Sequence, residues 1–463
     1  MRKLLLLFLF ISVTLITKAQ EINKDSLQMR AIYDEVLVNG EAYENLRYLC
    51  KNIGNRLSGS ANAQKAVDWS YHLMKTYDFD KVWLQEVMVP NWKRGNTELC
   101  FVKDAVGNDI KLSITALGSS IATDGVLSAK VIEVKSIEDL RSRDNKEIEG
   151  KIVFISQAFD QRFISTGQAY GTCGSIRYHG AAEAAYKGAV AVINRSLSSI
   201  DDDFAHTGAM GYRDSIPKIP AVAISVEGSN FLSQYIKEGN DQMTLELDCE
   251  MHEDTISYNV IADITGSEFP EKVMVVGGHL DSWDIGEGAH DDGAGVVQSL
   301  EVLRVFKALD IQPRHTLRCV FYMNEENGVR GGKAYAAWAK SNEDEIPWVA
   351  MESDIGGFTP RGFSIKADDI YYDAISEWTE LFEPYYANLL IKGWGGVDIG
   401  KLEDQGTVLI GYLPDTQRYF DLHHSDNDVF ETVNKRELQL GAAAMTSLLY
   451  LIDSHGLPSI IKD

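Results

Sequence analysis

Five short stretches of this chain carry residue types whose spacing suits divalent-metal chemistry. His279 and Asp281 lie in Gly277-Gly278-His279-Leu280-Asp281-Ser282, and His290, Asp291 and Asp292 precede Gly293-Ala294-Gly295. Glu325 and Glu326 follow Asn324, Glu352 and Asp354 flank Ser353, and His423-His424-Ser425 supplies two adjacent imidazoles. Neutral imidazole nitrogens and carboxylate oxygens are the donors that a pair of divalent cations takes. A Glu beside a liganding Glu adds the spare base that metal-assisted hydrolysis needs. Each stretch alone has a plainer reading, since Asp-Asp-Gly makes a turn and Glu-Glu-Asn-Gly a helix start or a turn. All five together point to one centre, and Gly293 and Gly295 let backbone pack close to it.

Most of these residues sit at or just past the end of an apolar run. His279 follows residues 273–278, Glu325 and Glu326 follow 317–323, and Asp354 closes 349–353. Asp291 precedes the glycine turn that opens an amphipathic stretch marked by Val296, Val297, Leu300, Leu303, Val305, Phe306 and Leu309. In an open α/β sheet, sites form beyond the carboxyl ends of the strands. Residues far apart in sequence are therefore expected to converge there.

From residue 256 onward, strand and helix patterns alternate as in an α/β sheet. Residues 21–110 begin with helical spacing over 27–38, 42–51 and 63–77, then alternate as a strand over 82–89. Between 112 and 250, short β-rich runs at 125–134, 151–155, 188–193, 219–225 and 243–247 surround one helical stretch, 181–187. None of the five stretches falls in that block, so it reads as an inserted module.

At 463 residues and 45% hydrophobic, the chain is long enough for more than one packed unit. A net charge of −24 argues against nucleic acid, whose phosphates need a basic surface. Arg2 and Lys3 precede an apolar stretch over residues 4–16, followed by polar residues 17–20, the pattern of a cleavable secretory leader. No later segment is apolar enough to span a membrane, so the expectation is a secreted or periplasmic protein without a span in its mature form. The five cysteines show no CxxC spacing; Cys319 reads as a buried hydrophobe, with room for one disulfide among Cys50, Cys100, Cys173 and Cys249. There is no His-Glu-x-x-His helix, no Gly-x-Ser-x-Gly elbow and no Gly-x-x-x-x-Gly-Lys phosphate loop.

The segments His279-Leu280-Asp281, Asp291-Asp292-Gly293, Glu325-Glu326, Asp354 and His424-Ser425 resemble, in this order, the co-catalytic di-zinc peptidases of family M28. Residues 54–60, 278–284, 351–354 and 419–425 are similar to its carboxypeptidase Q branch, as are His206-Thr207-Gly208 and residues 217–220. The resemblance covers nearly all the chain after residue 20. It implies a mixed-sheet α/β zinc-exopeptidase (phosphorylase/hydrolase-like) sandwich in which 112–250 is a β-rich protease-associated-type insertion. Residues 21–111 and 251–463 then form the catalytic domain.

The resemblance further implies two zinc ions per subunit. Asp291 would bridge them, with His279 and Asp354 on one metal, Glu326 and His424 on the other, and Glu325 as general base. Asp281 would hydrogen-bond the His279 ring without binding metal. His424 is favoured over His423 because the family's ligand directly precedes Ser or Thr. The family also holds the Asp-Asp peptide cis. Asp398, in the loop 395–399, and His423 are expected on the substrate side; His290 is at most a neighbour of the pocket, and His206 either faces the site or is a plain loop residue.

The resulting expectation is a di-zinc exopeptidase, a carboxypeptidase or dipeptidase acting on dipeptides or short peptides. An M28 aminopeptidase is the nearest alternative. A one-zinc glutaminyl-cyclase-like acyltransferase and a non-catalytic receptor-like ectodomain are more distant. The oligomeric state is open, with a homodimer implied by relatives in the branch.

Overall fold

The computed structural model describes residues 24–342 and 344–458, so the leader expected over residues 1–20 lies outside the described residues. Eight strands form one mixed sheet in the order Lys81–Lys93, Glu250–Ile264, His315–Tyr322, Phe269–His279, Ile346–Glu352, Val408–Pro414, Pro360–Lys366 and Leu389–Lys392. The four strands from His315–Tyr322 to Val408–Pro414 run parallel. Antiparallel pairings flank them on both sides.

Parallel strands must be covered on both faces. His315–Tyr322 is buried along its whole length. In Phe269–His279 the two faces separate residue by residue, as a period of two requires. Met274 and Val276 pack with Val296, Leu300 and Leu303 of the helix Ala294–Ala308. Val273 and Val275 pack instead with Tyr335 and Ala336 of the helix Arg330–Ser341. The long helix Lys435–His455 lies against Ala294–Ala308 and completes the first layer.

A second eight-stranded sheet takes the order Asp109–Lys111, Glu98–Lys103, Gln242–Leu247, Leu127–Val134, Ile152–Ile155, Ala191–Arg195, Ala221–Ile224 and Ile114–Ala116. Its first two strands precede residue 112, where the β-rich block is expected to begin. Glu98–Lys103 joins this sheet because Cys100 and Val102 face its core while the strand pairs antiparallel with Gln242–Leu247. A strand this short, with buried residues only at alternate positions, makes no apolar run that a sequence could announce.

The helix expected over 181–187 spans Thr166–Tyr186. Its glycine-rich first half has no apolar period of its own. Ser165 caps its start by accepting from the Gln168 N–H at 3.3 Å. The first half then gains partners from the other sheet's chain: Tyr170 stacks on Phe420, with ring centroids 4.5 Å apart, and Thr166 Oγ1 donates to the Thr416 carbonyl at 2.9 Å.

All five cysteines are free thiols, so no disulfide links Cys50, Cys100, Cys173 and Cys249. Each is packed as a small apolar residue inside a core. Burial pushes the thiols of Cys100 and Cys249 up to about 12 and that of Cys173 to about 11, which keeps them protonated and inert.

Candidate metal centre

The register of three neighbouring strands brings the first donors together. His279 ends its strand opposite Tyr322 on one side, and Gly277 pairs with Glu352 on the other. Glu325 and Asp354 therefore emerge just beyond two adjacent strand ends, flanking His279. Asp291 arrives over the start of the helix Ala294–Ala308, through a peptide bond to Asp292 that is cis. His424 comes from the loop after the short helix Tyr419–Leu422.

The two imidazoles address opposite oxygens of Asp291. His279 Nε2 lies 3.1 Å from Asp291 Oδ1 and 3.2 Å from Asp354 Oδ1. His424 Nε2 lies 3.2 Å from Asp291 Oδ2 and 3.2 Å from Glu326 Oε2. His423 Nε2 is 3.6 Å from the same Asp291 oxygen, and its ring stacks on His424 with centroids 3.5 Å apart. Donor atoms of His279, Asp291 and Asp354, and of Asp291, His423 and His424, lie within 4.8 Å of one another.

These groups suit a cation better than they suit each other. Asp291 Oδ2 and Glu326 Oε1 are buried with no hydrogen-bond donor. Burial pushes the Glu326 carboxyl up to about 7, with the Asp291 charge adding to it. Burial also drives Glu325 well above the usual carboxylate range, helped by the charges of Asp354, Glu326 and Asp398. Desolvation disfavours a charged His279, yet the Asp354 and Asp291 carboxylates outweigh it and hold the ring well above its ordinary value. A cluster of buried carboxylates that resists ionising is what a divalent ion relieves, so the donor set fits a metal.

Supporting hydrogen bonds fix the orientation of the donors. His279 Nδ1 donates to the main-chain oxygen of Asp281 at 2.9 Å. The Asp281 carboxylate, expected to hold this ring, stands 3.8 Å from it. It accepts instead from the backbone N–H groups of Asn324 at 2.7 Å and Glu325 at 3.1 Å. Two unpaired amides at a strand end draw the carboxylate more strongly than a ring already served by a carbonyl. Asp292 accepts from His279 N and Gly295 N, each at 3.0 Å. A Cβ on Gly295 would sit 1.9 Å from the Ser353 carbonyl, so this turn requires glycine.

Several supporting groups have roles that the sequence alone does not assign. Arg56 is fully buried and donates to the carbonyls of Leu280, Glu287 and Gly288, the latter two at 2.8 and 2.9 Å. It ties the His279 segment to the Asp291 segment. Asp428 accepts from His290 N at 2.7 Å and Asp291 N at 3.0 Å. Glu352 accepts from Val397 N and Ile399 N at 2.6 and 2.8 Å, anchoring the loop 395–399.

That loop differs from its expected role. Asp398 is buried, accepts from Gly332 N at 3.1 Å, and has its carboxyl raised to about 7 by burial; its neighbour Val397, not Asp398, lines the cavity. His423 does line the cavity, and burial keeps its ring well below the usual value and so neutral. His206 is buried against the His423 carbonyl at 2.6 Å, and burial lowers its ring to about 4. His290 stacks on Phe358, with centroids 4.2 Å apart, and accepts from Gly357 N.

The centre opens into a cavity of about 1150 Å³. Asp291, Glu325, Glu326, Asp354 and His424 form its floor, Tyr170 and Arg177 of the second-sheet unit one wall, and Leu389, Ile391 and Trp394 another.

A family model described as Peptidase family M28 matches residues 259–449. Carboxypeptidase Q of Xenopus laevis is 36% identical over 427 residues, covering 90% of this chain and 88% of that protein. Carboxypeptidase Q of Homo sapiens is 34% identical over 425 residues, covering 91% and 87%. Among solved structures, a Peptidase M28 precursor from Shewanella amazonensis aligns with a TM-score of 0.88 and 31% identity over 95% of this chain and all of that one. A zinc aminopeptidase from Bacillus subtilis shares the fold, with a TM-score of 0.65 and 23% identity over 89% of this chain and 94% of that one.

Proposed function

The chain belongs to peptidase family M28, and from that premise we propose that it removes residues from the carboxy end of dipeptides and short peptides at a two-zinc centre. That it is a metallo-exopeptidase follows from its relatives, and the family it belongs to implies zinc. The carboxy-end preference is taken from the carboxypeptidase Q relatives. The aminopeptidase alternative has weaker support, from neighbours that share the fold and from sequence relatives of lower identity or shorter coverage. A receptor-like or acyltransferase role is disfavoured by the same relatives and by a complete donor set.

One observation carries the two-metal reading: His279 and His424 address opposite oxygens of Asp291, each with its own further carboxylate. His279, Asp291 and Asp354 would hold one zinc, and Asp291, Glu326 and His424 the other. When bound, zinc supplies Lewis acidity, both to water and to the scissile carbonyl. Glu325, half-buried on the cavity floor, takes a proton from the attacking water on its carboxylate and delivers one to the leaving amine nitrogen. Asp281 fixes the Glu325 backbone amide and so sets the reach of that carboxylate. The second-sheet unit, proposed as the protease-associated-type insertion, closes one side of the cleft, which suits a substrate entering by a free end.

The enzyme is proposed to be exported through the leader in residues 1–20 and to act as a homodimer. Among the described residues no helix is long and apolar enough to cross a membrane. The decisive variant is Glu325→Gln. It should keep its zinc by elemental analysis while kcat falls by about 1000-fold; near-normal turnover would remove Glu325 from the mechanism.

A further inference from the structure

The cavity floor is acidic, yet one guanidinium faces it. Arg177 projects from the helix Thr166–Tyr186 and lines the same cavity as Glu325 and Asp354. The other basic side chains on the wall are engaged: Arg361 pairs with Asp415, and Lys333 donates to the Gly328 carbonyl at 2.8 Å. Among the described residues Arg177 forms no ion pair with a carboxylate. Its Nε is buried without a partner, and its Nη1 lies 3.5 Å from the Thr207 carbonyl and 3.2 Å from His424 Nδ1.

The His424 contact does not satisfy the guanidinium. With His424 Nε2 given to zinc as proposed above, the ring proton sits on Nδ1, 3.2 Å from the Thr207 carbonyl that accepts it. An N–H facing an N–H is no hydrogen bond, so Arg177 keeps one long contact to a carbonyl and the Tyr170 ring 5.5 Å from its Cζ, with its buried Nε still unpaired and no carboxylate partner. A half-buried guanidinium without an anion is unfavourable. Its planar fork matches a carboxylate in two parallel hydrogen bonds.

Position decides which anion would complete it. The His424 ring bridges Arg177, 3.2 Å from its Nδ1, and the Asp291 and Glu326 oxygens, each 3.2 Å from its Nε2. A peptide with its scissile carbonyl over those oxygens reaches Arg177 with the next residue, which spans roughly 3.5 Å. A free amine there would meet like charge; a free carboxylate would meet its counterion. We propose that Arg177 binds the free α-carboxylate of the peptide substrate and thereby sets the preference for a carboxy-terminal residue. The assignment rests on the carboxy-end reading above, and it puts a specificity determinant on the second-sheet unit, away from the metal-bearing strands.

The test compares kcat/KM for one dipeptide as the free acid and as its carboxy-terminal amide, in wild type, Arg177→Gln and Arg177→Lys, with zinc content measured for each. Wild type should prefer the free acid. Arg177→Gln should lower the acid-to-amide ratio about 100-fold, chiefly through KM, the scale of losing one desolvated charge-paired contact. Arg177→Lys should lower it less, since a point charge keeps part of the attraction. A structural role through His424 predicts instead equal losses on both substrates and an unchanged ratio, which would overturn the assignment. A wild type that prefers the acid while Arg177→Gln retains that preference would overturn Arg177 alone. A wild type indifferent to amidation would overturn Arg177 and the carboxy-end reading together.

Discussion

The two sides of Asp291 are built in different ways. On one side, His279 and Asp354 leave adjacent parallel strands whose register fixes their separation before any side chain is placed. On the other side, His424 sits in a loop after a four-residue helix and is steadied from outside the sheet. Thr207 of the second-sheet unit accepts from His424 Nδ1 and donates its own N–H to the His424 carbonyl at 2.9 Å, while His206 holds the carbonyl of His423. One half of the centre is a property of the sheet, and the other depends on how two units meet.

Removing one donor from each side separates the halves most sharply. His279→Ala and His424→Ala should each cost about one zinc per chain and lower turnover roughly 1000-fold. Elemental analysis on both variants checks this; either variant that keeps both ions would show that its half does not bind as described. Next in size, Asp281→Ala strips the acceptor from two amides at the strand end and should lower turnover about 10- to 100-fold with the fold intact. Steady-state kinetics with circular dichroism tests it, and unchanged kcat would remove Asp281 from the support of Glu325.

A smaller effect is expected where the support is shared. Arg56→Met leaves the carbonyls of Leu280, Glu287 and Gly288 without their donor and should cost about 3 kcal/mol in urea unfolding. The smallest effect lies in the second-sheet unit. Glu183 hydrogen-bonds Arg141 and Arg213, which hold its carboxyl down to about 2 from a reference of 4.5. A depressed folded value means stabilisation that is complete above pH 4.5 and is lost as pH falls toward about 2. Both arginines are half exposed, so solvent screens the pair and the effect is modest. Melting temperatures between pH 5 and pH 3 should therefore fall less steeply in Glu183→Gln than in wild type; parallel slopes would exclude this pair from the acid response.

The same contrast governs what could be read from the sequence. His279, Glu325 and Asp354 stand at the ends of apolar runs, so strand periodicity alone places them at one edge. The choice of His424 over His423 needed the family resemblance, because no periodicity describes that loop; His424 reaches both Asp291 and Glu326 at 3.2 Å. Arg56 and Glu352 lie in segments that the resemblance singles out, yet their roles stayed hidden, since a buried charge serving backbone groups resembles any surface charge until the surrounding chain is folded around it. Asp398 differs for a related reason: the resemblance of loop 395–399 to a substrate-side segment put it beside the substrate, yet the loop turns it inward onto the Gly332 amide. The first half of the helix Thr166–Tyr186 was illegible because its apolar partners, Tyr419 and Phe420, lie some 250 residues downstream.

Diffraction at the zinc absorption edge from crystals of the loaded enzyme addresses the centre most directly. Two anomalous peaks should flank Asp291, one beside His279 and Asp354 and the other beside Glu326 and His424. A single peak, or a second one away from Asp291, would contradict the shared aspartate on which the mechanism depends.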